Sequence, residues 1–75
     1  MPEKRTVVEI QNEIEYLVDE CGLQYFLELL GDVCFEKAEH IESNWQDVQL
    51  AADWETVGEK IHEFSSHPDI KAAAY

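Results

Sequence analysis

The apolar residues of this chain recur at steps of three and four, and this spacing most limits what the chain can fold into. Near the N-terminus the pattern runs Val7, Ile10, Ile14, Leu17 and Cys21. Such steps place side chains on one stripe of an α-helix, whereas a half-buried strand would alternate with period two. No alternating apolar run long enough for a strand occurs in the 75 residues. The sequence therefore predicts an all-α protein.

The first helix is predicted over residues 7–21. Thr6 and Glu9 have the spacing of a capping box, in which hydroxyl and carboxylate satisfy free amides of the first turn. Gly22 offers the left-handed conformation in which many helices end. Local signals therefore predict both ends of this helix.

The second helix is predicted over residues 23–42 and is apolar around much of its circumference. Its apolar positions are Leu23, Phe26, Leu27, Leu30, Val33, Cys34, Ala38 and Ile41, widened by Tyr25, Leu29 and Phe35. A helix of this kind needs cover on two sides, so we expect it to be the central element. Gly31 predicts either a kink or a point of close approach.

The third helix is predicted over residues 47–64, with Asp47 as its N-cap. Its apolar stripe consists of Leu50, Trp54, Val57, Ile61 and Phe64. Pro68 cannot continue the helical hydrogen bonds, and residues 68–75 are expected to form a short turn or tail. Short links favour antiparallel neighbours, so we predict one domain over residues 1–75, a small three-helix bundle. The competing architecture is an extended helical hairpin that dimerises.

The charge of the chain restricts its partners. Seventeen Asp and Glu against five Lys and Arg give a net charge of −12, which repels phosphate backbones and anionic lipids. Residues 1–22, 23–45 and 46–75 each carry a net −4, so the acids are expected to coat the folded surface. We therefore expect a protein partner with a basic surface, and no direct binding to nucleic acid or membrane.

The chain lacks signals that would direct it out of the cytoplasm. No stretch approaches the ~18 apolar residues that span a bilayer, and no signal-peptide block follows the first five residues. Cys21 and Cys34 lie at apolar positions of helical patterns without CxxC spacing. We expect two reduced, buried thiols rather than a disulfide, redox pair or metal ligands, and a cytoplasmic location.

Paired Glu and His residues raise a metal-binding alternative. Glu59 and His62 form an ExxH, the spacing found in di-iron carboxylate bundles, and Glu36 lies one turn before His40. A divalent metal held by these four side chains would make the chain a metal-binding helical protein. The apolar stripe of the third helix instead directs Glu59 and His62 toward solvent. No cofactor is therefore predicted.

Catalysis is not expected from this sequence. Acid–base and nucleophilic chemistry need an activated group in a desolvated cleft, and a bundle of this size has little room for one. Ser65 and Ser66 lie beside His67 in a predicted loop, without an oxyanion donor set. No catalytic residue is predicted, and the chain is expected not to be an enzyme.

The leading hypothesis is a small acidic regulator or adaptor that docks on a basic protein surface. Its predicted binding residues are Glu55, Glu59 and Glu63, on one face of the third helix, and Trp45. The tryptophan either closes the end of the bundle or anchors a partner. The most specific version is an inhibitor that mimics nucleic-acid charge. The alternative from another class is a self-assembling structural component whose extra apolar residues form a homo-oligomer interface.

Overall fold

A computed structural model describes residues 5–73, which form four helices and no strand. The helices are α1 (Val7–Cys21), α2 (Leu23–Trp45), α3 (Val48–Ser65) and α4 (Pro68–Ala72). The predicted all-α, three-helix architecture is confirmed, and the expected C-terminal turn is the short helix α4. The last two residues of the predicted tail, 74 and 75, lie outside the described part of the chain.

The N-terminus of α1 is the predicted capping box. The amide of Glu9 donates to Oγ1 of Thr6 at 3.1 Å, and the amide of Thr6 donates to Oε1 of Glu9 at 3.1 Å. An exposed ion pair between Arg5 and Glu13 adds a contact across the first two turns. Each reciprocal bond satisfies an amide that the helix leaves free, so α1 begins where the sequence predicts.

Gly22 both ends α1 and begins α2. Its N–H donates to the carbonyl of Val18 at 2.7 Å, and its own carbonyl accepts from the amide of Phe26 at 2.9 Å. Its φ of 87° has the predicted positive sign, but its ψ of 149° is extended. The predicted left-handed helical conformation of Gly22 is therefore wrong, because its ψ angle is extended. A single residue joins the two helices.

The α2–α3 connection is a tight turn of two residues. Gln46 adopts the left-handed conformation, with φ 55° and ψ 28°, and Asp47 caps α3 by accepting from the amide of Leu50 at 3.0 Å. Because the turn falls at Gln46 rather than at Ser43 or Asn44, α2 runs three residues past its predicted end. The Asp47 cap is confirmed, and the two helices run antiparallel.

The core lies between α2 and α3 and consists mainly of small residues. The buried positions are Gly31, Cys34, Ala38 and Ile41 on α2, Ala51, Gly58 and Ser65 on α3, and Ile70 on α4. Leu50 and Trp54 pack against the edge of this cluster. Small side chains along the line of contact let the two helix axes approach closely.

This close packing displaces two residues of the predicted α3 stripe. Ala51, Gly58 and Ser65 occupy the line of contact at intervals of seven residues, so the larger apolar side chains lie on its flank. Val57 and Phe64 remain 46% and 51% exposed. The prediction that these two residues face inward is wrong, because the glycine and alanine bring the backbones too close for them.

α1 packs against little of the rest of the chain. It touches α2 but does not approach α3 or α4, and none of its residues is buried. The described helices form a flat layer, with overall extents of 41 × 34 × 15 Å, and the radius of gyration is 14.5 Å. A compact 75-residue domain would have a radius of roughly 11 Å. Within residues 5–73, α3 covers one side of α2, whereas α1 and α4 add only limited contact, so the expected cover on both sides is absent there.

Candidate functional site

One side of the α2–α3 pair is acidic. An open depression between the helices is lined by Phe35, Ala38, Glu39, Glu42 and Glu55. Glu59 and Glu63 follow Glu55 at steps of four residues, so they continue its row along α3 and are exposed. Glu63, at the end of this row, also lines a depression with Lys60 and Phe64. Together Glu39, Glu42, Glu55, Glu59 and Glu63 are termed the acidic face.

The opposite side of the same pair is apolar. Helical periodicity puts Leu30 and Val33 on the flank of α2 away from the acidic face, and Val57 and Phe64 on the corresponding flank of α3. Because the helices are antiparallel, both flanks lie on one side of the pair, beside half-buried Trp54. These five residues are termed the apolar face, and all except Trp54 are 38–51% exposed.

A third exposed surface lies on α1. Val7, Ile10, Ile14, Leu17 and Cys21 follow the heptad spacing of a coiled-coil seam and are termed the α1 seam. The first four of these residues are more than 40% exposed. The sequence around them, residues 6–36, contains eight carboxylates and no Lys, Arg or His. Arg5, which pairs with Glu13 at the N-terminal end, is the one described base beside the α1 seam, so its flanks are predominantly negative.

Two glycines fix how α2 and α3 cross. A Cβ on Gly58 would lie 3.0 Å from the carbonyl oxygen of Gly31 and 2.9 Å from Cε1 of Phe35, whereas a Cβ on Gly31 would overlap the ring of His62. The two rings meet edge to face, with centroids 5.2 Å apart and planes at 68°. Each glycine thus receives an aromatic ring from the facing helix.

His62 packs between the helices, although its side chain is still 38% exposed. Its Nε2 is buried and lies 3.0 Å from Oδ1 of Asp32, an ion-pair distance, without a hydrogen-bond partner. The imidazole is therefore partly buried rather than directed into solvent as predicted, because Gly31 opens room for the ring. Glu59 is exposed, as predicted.

The four residues of the metal-binding alternative do not converge. Nδ1 of His40 lies 3.1 Å from Nδ2 of Asn44 on the exposed side of α2, whereas His62 turns toward Asp32. Glu36 and Glu59 complete no ligand set with them, since no three His, Cys, Asp or Glu side chains within residues 5–73 could hold a metal ion together.

The serine and histidine at the end of α3 have structural partners. Ser65 is buried and its Oγ donates to the carbonyl of His62 at 2.6 Å. His67 is the N-cap of α4, and its Nδ1 accepts from the amide of Asp69 at 3.1 Å. Both groups therefore stabilise helix ends.

All four predicted binding residues are exposed, and three belong to the acidic face. Trp45 is 68% exposed and follows Glu42 by three residues, which puts it at the end of that face nearest the α2–α3 turn. It does not close the end of the bundle. Glu39 and Glu42 were not among the predicted residues, although their helical spacing placed them on one side of α2. Only the pairing of α2 with α3 brings them beside Glu55.

Comparisons with known proteins add no functional information. No family model, curated protein or solved structure matches this chain. Within residues 5–73, every helix is too short or too polar to cross a membrane. The acidic face, the apolar face and the α1 seam are therefore the features from which a function can be inferred.

Proposed function

We propose that this chain is a non-enzymatic interaction protein, a regulator or adaptor that docks on a basic protein surface through its acidic face. The observation that carries the proposal is the gathering of five glutamates on one side of the α2–α3 pair. The depression between the helices is lined by three of these glutamates and by no basic residue. A positively charged partner surface complements this arrangement.

The spacing of the glutamates supports recognition by long-range attraction. Glu55, Glu59 and Glu63 are separated by about 6 Å along the axis of α3. This distance is shorter than the Debye length of about 10 Å at 0.1 M salt, so their fields add rather than being screened from one another. A cluster of like charges raises the association rate with an oppositely charged surface. The acidic face is therefore suited to steering a basic partner.

Trp45 supplies an apolar anchor beside these charges. Its ring is exposed at the end of α2, where the turn at Gln46 holds the backbone. Tryptophan is enriched among residues that dominate binding energy, because it buries a large area at low conformational cost. We propose that the acidic face sets the association rate and that burial of Trp45 slows dissociation.

The charge density supports mimicry of nucleic acid as the specific form of this recognition. Measured from the α2–α3 turn, the five carboxylates span roughly 18 Å of helix axis, which gives one negative charge per about 4 Å. One strand of duplex DNA carries one per about 3.4 Å. A groove that binds phosphates would meet a comparable field here, so we propose an inhibitor of a nucleic-acid-binding protein.

Two variants with equal charge test the proposal. The face variant combines Glu55→Gln, Glu59→Gln and Glu63→Gln, and the control combines Glu15→Gln, Asp19→Asn and Glu20→Gln on α1. Each removes three exposed carboxylates, so only position differs. Association and dissociation rates are measured against a host protein retained by the wild-type chain at low salt, over a series of salt concentrations. Duplex DNA is then added as a competitor.

The face variant is expected to associate roughly tenfold more slowly than the control, and wild-type binding is expected to weaken steeply with salt. Trp45→Ala is expected to raise the dissociation rate with little effect on association. DNA that displaces the chain would support mimicry. Equal losses in both charge variants, or binding that does not respond to salt, would show that the acidic face is not the docking surface.

A further inference from the structure

We propose that two copies of this chain exchange α1, so that the α1 seam of each copy covers the apolar face of the other. The two surfaces are both exposed in a single chain and both apolar. The exchange is reciprocal, so the dimer has two equivalent contacts related by a two-fold axis.

The link between α1 and α2 prevents the same contact within one chain. Two helices that fold back on each other need a loop of about 2–5 residues. Here the link is Gly22 alone, and both its N–H and its carbonyl are committed to hydrogen bonds with the flanking helices. α1 therefore points away from the rest of its own chain, and a short hinge of this kind favours exchange between copies.

The uncovered area is large enough for such a dimer. The chain exposes 6128 Å², about 1,400 Å² more than the roughly 4,700 Å² of a compact 8.7 kDa monomer. A standard protein interface buries about 800 Å² of accessible surface on each partner. The excess surface of one chain therefore exceeds what a stable interface covers.

The two surfaces also match in length. The α1 seam extends over 14 residue steps, which is about 21 Å of helix. On α3 the apolar face extends from Trp54 to Phe64, which is about 15 Å of helix. Half-buried Leu50 lengthens it by about one turn, because Leu50 lines a depression together with Trp54 and Val57. α1 of a second copy can therefore lie along the whole apolar face.

Charge favours this arrangement over direct pairing of two α1 helices. Glu13 and Glu20 flank the α1 seam; Arg5 pairs with Glu13, but residues 6–36 offer no base to oppose Glu20. An α1–α1 contact would bring carboxylates together, which destabilises a helix pair. The rim of the apolar face carries both positive and negative charges. Lys37 lies beside Val33, and Lys60 lies beside Phe64. The acids Glu36 and Asp53 also lie at this rim.

This dimer is independent of the basic partner proposed above. Apart from Glu63, which lies at the edge next to Phe64, the acidic face is on the other side of the α2–α3 pair, so the exchange leaves it exposed on both copies. Loss of the dimer and loss of partner binding are therefore separable: the face variant is expected to remain dimeric.

Three single substitutions give the first test, by sedimentation equilibrium on the full chain. Wild type is expected at twice the 8.7 kDa chain mass. Ile14→Glu, on the α1 seam, and Val57→Glu, on the apolar face, are each expected to raise the dimer dissociation constant roughly 100-fold, because both put a carboxylate into the contact. Val8→Glu is the control, since Val8 is also an exposed valine of α1, at 62%, but lies off the α1 seam.

Mixing the two disrupting variants tests reciprocity. A pair made of one Ile14→Glu copy and one Val57→Glu copy keeps one intact contact, between the normal α1 of the second and the normal apolar face of the first. The mixture is therefore expected to form a heterodimer more tightly than either variant forms its own dimer. Direct α1–α1 pairing predicts instead that Val57→Glu stays dimeric and that mixing restores nothing.

Lengthening the hinge tests the role of Gly22 without removing any apolar residue. Insertion of four Gly and Ser residues after Gly22 is expected to give a folded monomer, because α1 can then cover the apolar face of its own chain. The same insertion after Gln46 is the control and is expected to leave the dimer intact. Circular dichroism verifies helix content in every variant. A monomeric wild type, a dimeric Val57→Glu variant, or a hinge insertion that leaves the dimer unchanged would each overturn the proposal.

Discussion

The imidazole of His62 occupies the space that a Cβ on Gly31 would need. Its Nε2 lies 2.6 Å from that Cβ position, and its Cδ2 lies closer still. Phe35 fills the equivalent space over Gly58, at 2.9 Å. The distance between α2 and α3 is therefore set by two glycines that each accommodate a ring from the facing helix, and both faces of the pair depend on this crossing.

The crossing predicts a specific coupling between Gly31 and His62. Gly31→Ala is expected to destabilise the fold by about 1–3 kcal/mol through overpacking, with up to about 1 kcal/mol returned by the better helix propensity of alanine. In a His62→Ala background the ring is absent, so the same substitution is expected to be neutral or stabilising. Urea denaturation of the two single variants and the double variant measures this coupling energy.

Gly58→Ala provides the control for that cycle. Its Cβ would meet the backbone carbonyl of Gly31 and the ring of Phe35, and His62 is involved only indirectly, through its edge-to-face contact with Phe35. Its cost is therefore expected to fall less than that of Gly31→Ala when His62 is removed. If His62→Ala lowered the cost of both glycine substitutions equally, the His62 ring would not be the group that limits the space at Gly31.

The burial pattern predicts which apolar residues stabilise the isolated fold. Ile41 is 5% exposed and packs with Ala38 and Ala51, whereas Val48 is 69% exposed at the start of α3. Ile41→Ala is expected to cost about 2–5 kcal/mol, and Val48→Ala to stay within about 0.5 kcal/mol of wild type. Urea denaturation measures both. Similar losses in the two variants would contradict the position of the core.

The sequence predicted the features that depend on nearest neighbours along the chain. The Thr6 and Glu9 capping box and the Asp47 cap were correct, because each depends on a few consecutive residues. At Gly31 the sequence left a kink and a close approach open, and the close approach depends on Gly58 and His62 of the facing helix. The position of the core line on α3 was not predicted. The apolar stripe suggested that Val57 and Phe64 face α2. The small residues that follow them directly, Gly58 and Ser65, face α2 instead, because they let the two helix backbones approach more closely.

The candidate site was predicted in part for the same reason. Glu55, Glu59 and Glu63 share a face by helical spacing alone, so sequence was enough to group them. Glu39 and Glu42 join them only through the antiparallel pairing of α2 and α3. The spacing that suggested a metal site was misleading, because His62 occupies the room left by Gly31 and so turns away from the other candidate ligands.

The two cysteines are expected to differ in reactivity. Cys34 is buried between α2 and α3, whereas Cys21 is half-buried at the end of α1, and both are free thiols. A thiol reagent should therefore label Cys21 first, and Cys34 only when the pair opens. Labelling kinetics of Cys21→Ser and Cys34→Ser variants assign the two phases. Fast reaction of Cys34 in the folded chain would be inconsistent with its burial.

The stability of α1 is expected to depend on its cap and on protein concentration. α1 has 15 residues and no buried side chain, and an isolated helix of this length is marginal in water. Removing the capping hydroxyl by Thr6→Ala typically costs about 1 kcal/mol, which α1 cannot recover from tertiary packing. In dilute solution, hydrogen exchange of the α1 amides is therefore expected to accelerate while the α2 and α3 amides are unaffected.

Asp47→Ala is the matched control for this prediction, because it removes an N-cap of similar strength from a helix that packs along its length. Its effect is expected to spread over α2 and α3 instead of staying within one helix. In the Thr6→Ala variant, by contrast, raising the concentration should restore protection to α1, since a second copy would supply the contacts that α1 lacks in its own chain. Protection of α1 that is as high as that of α3 in dilute solution would show that α1 is stabilised without a partner.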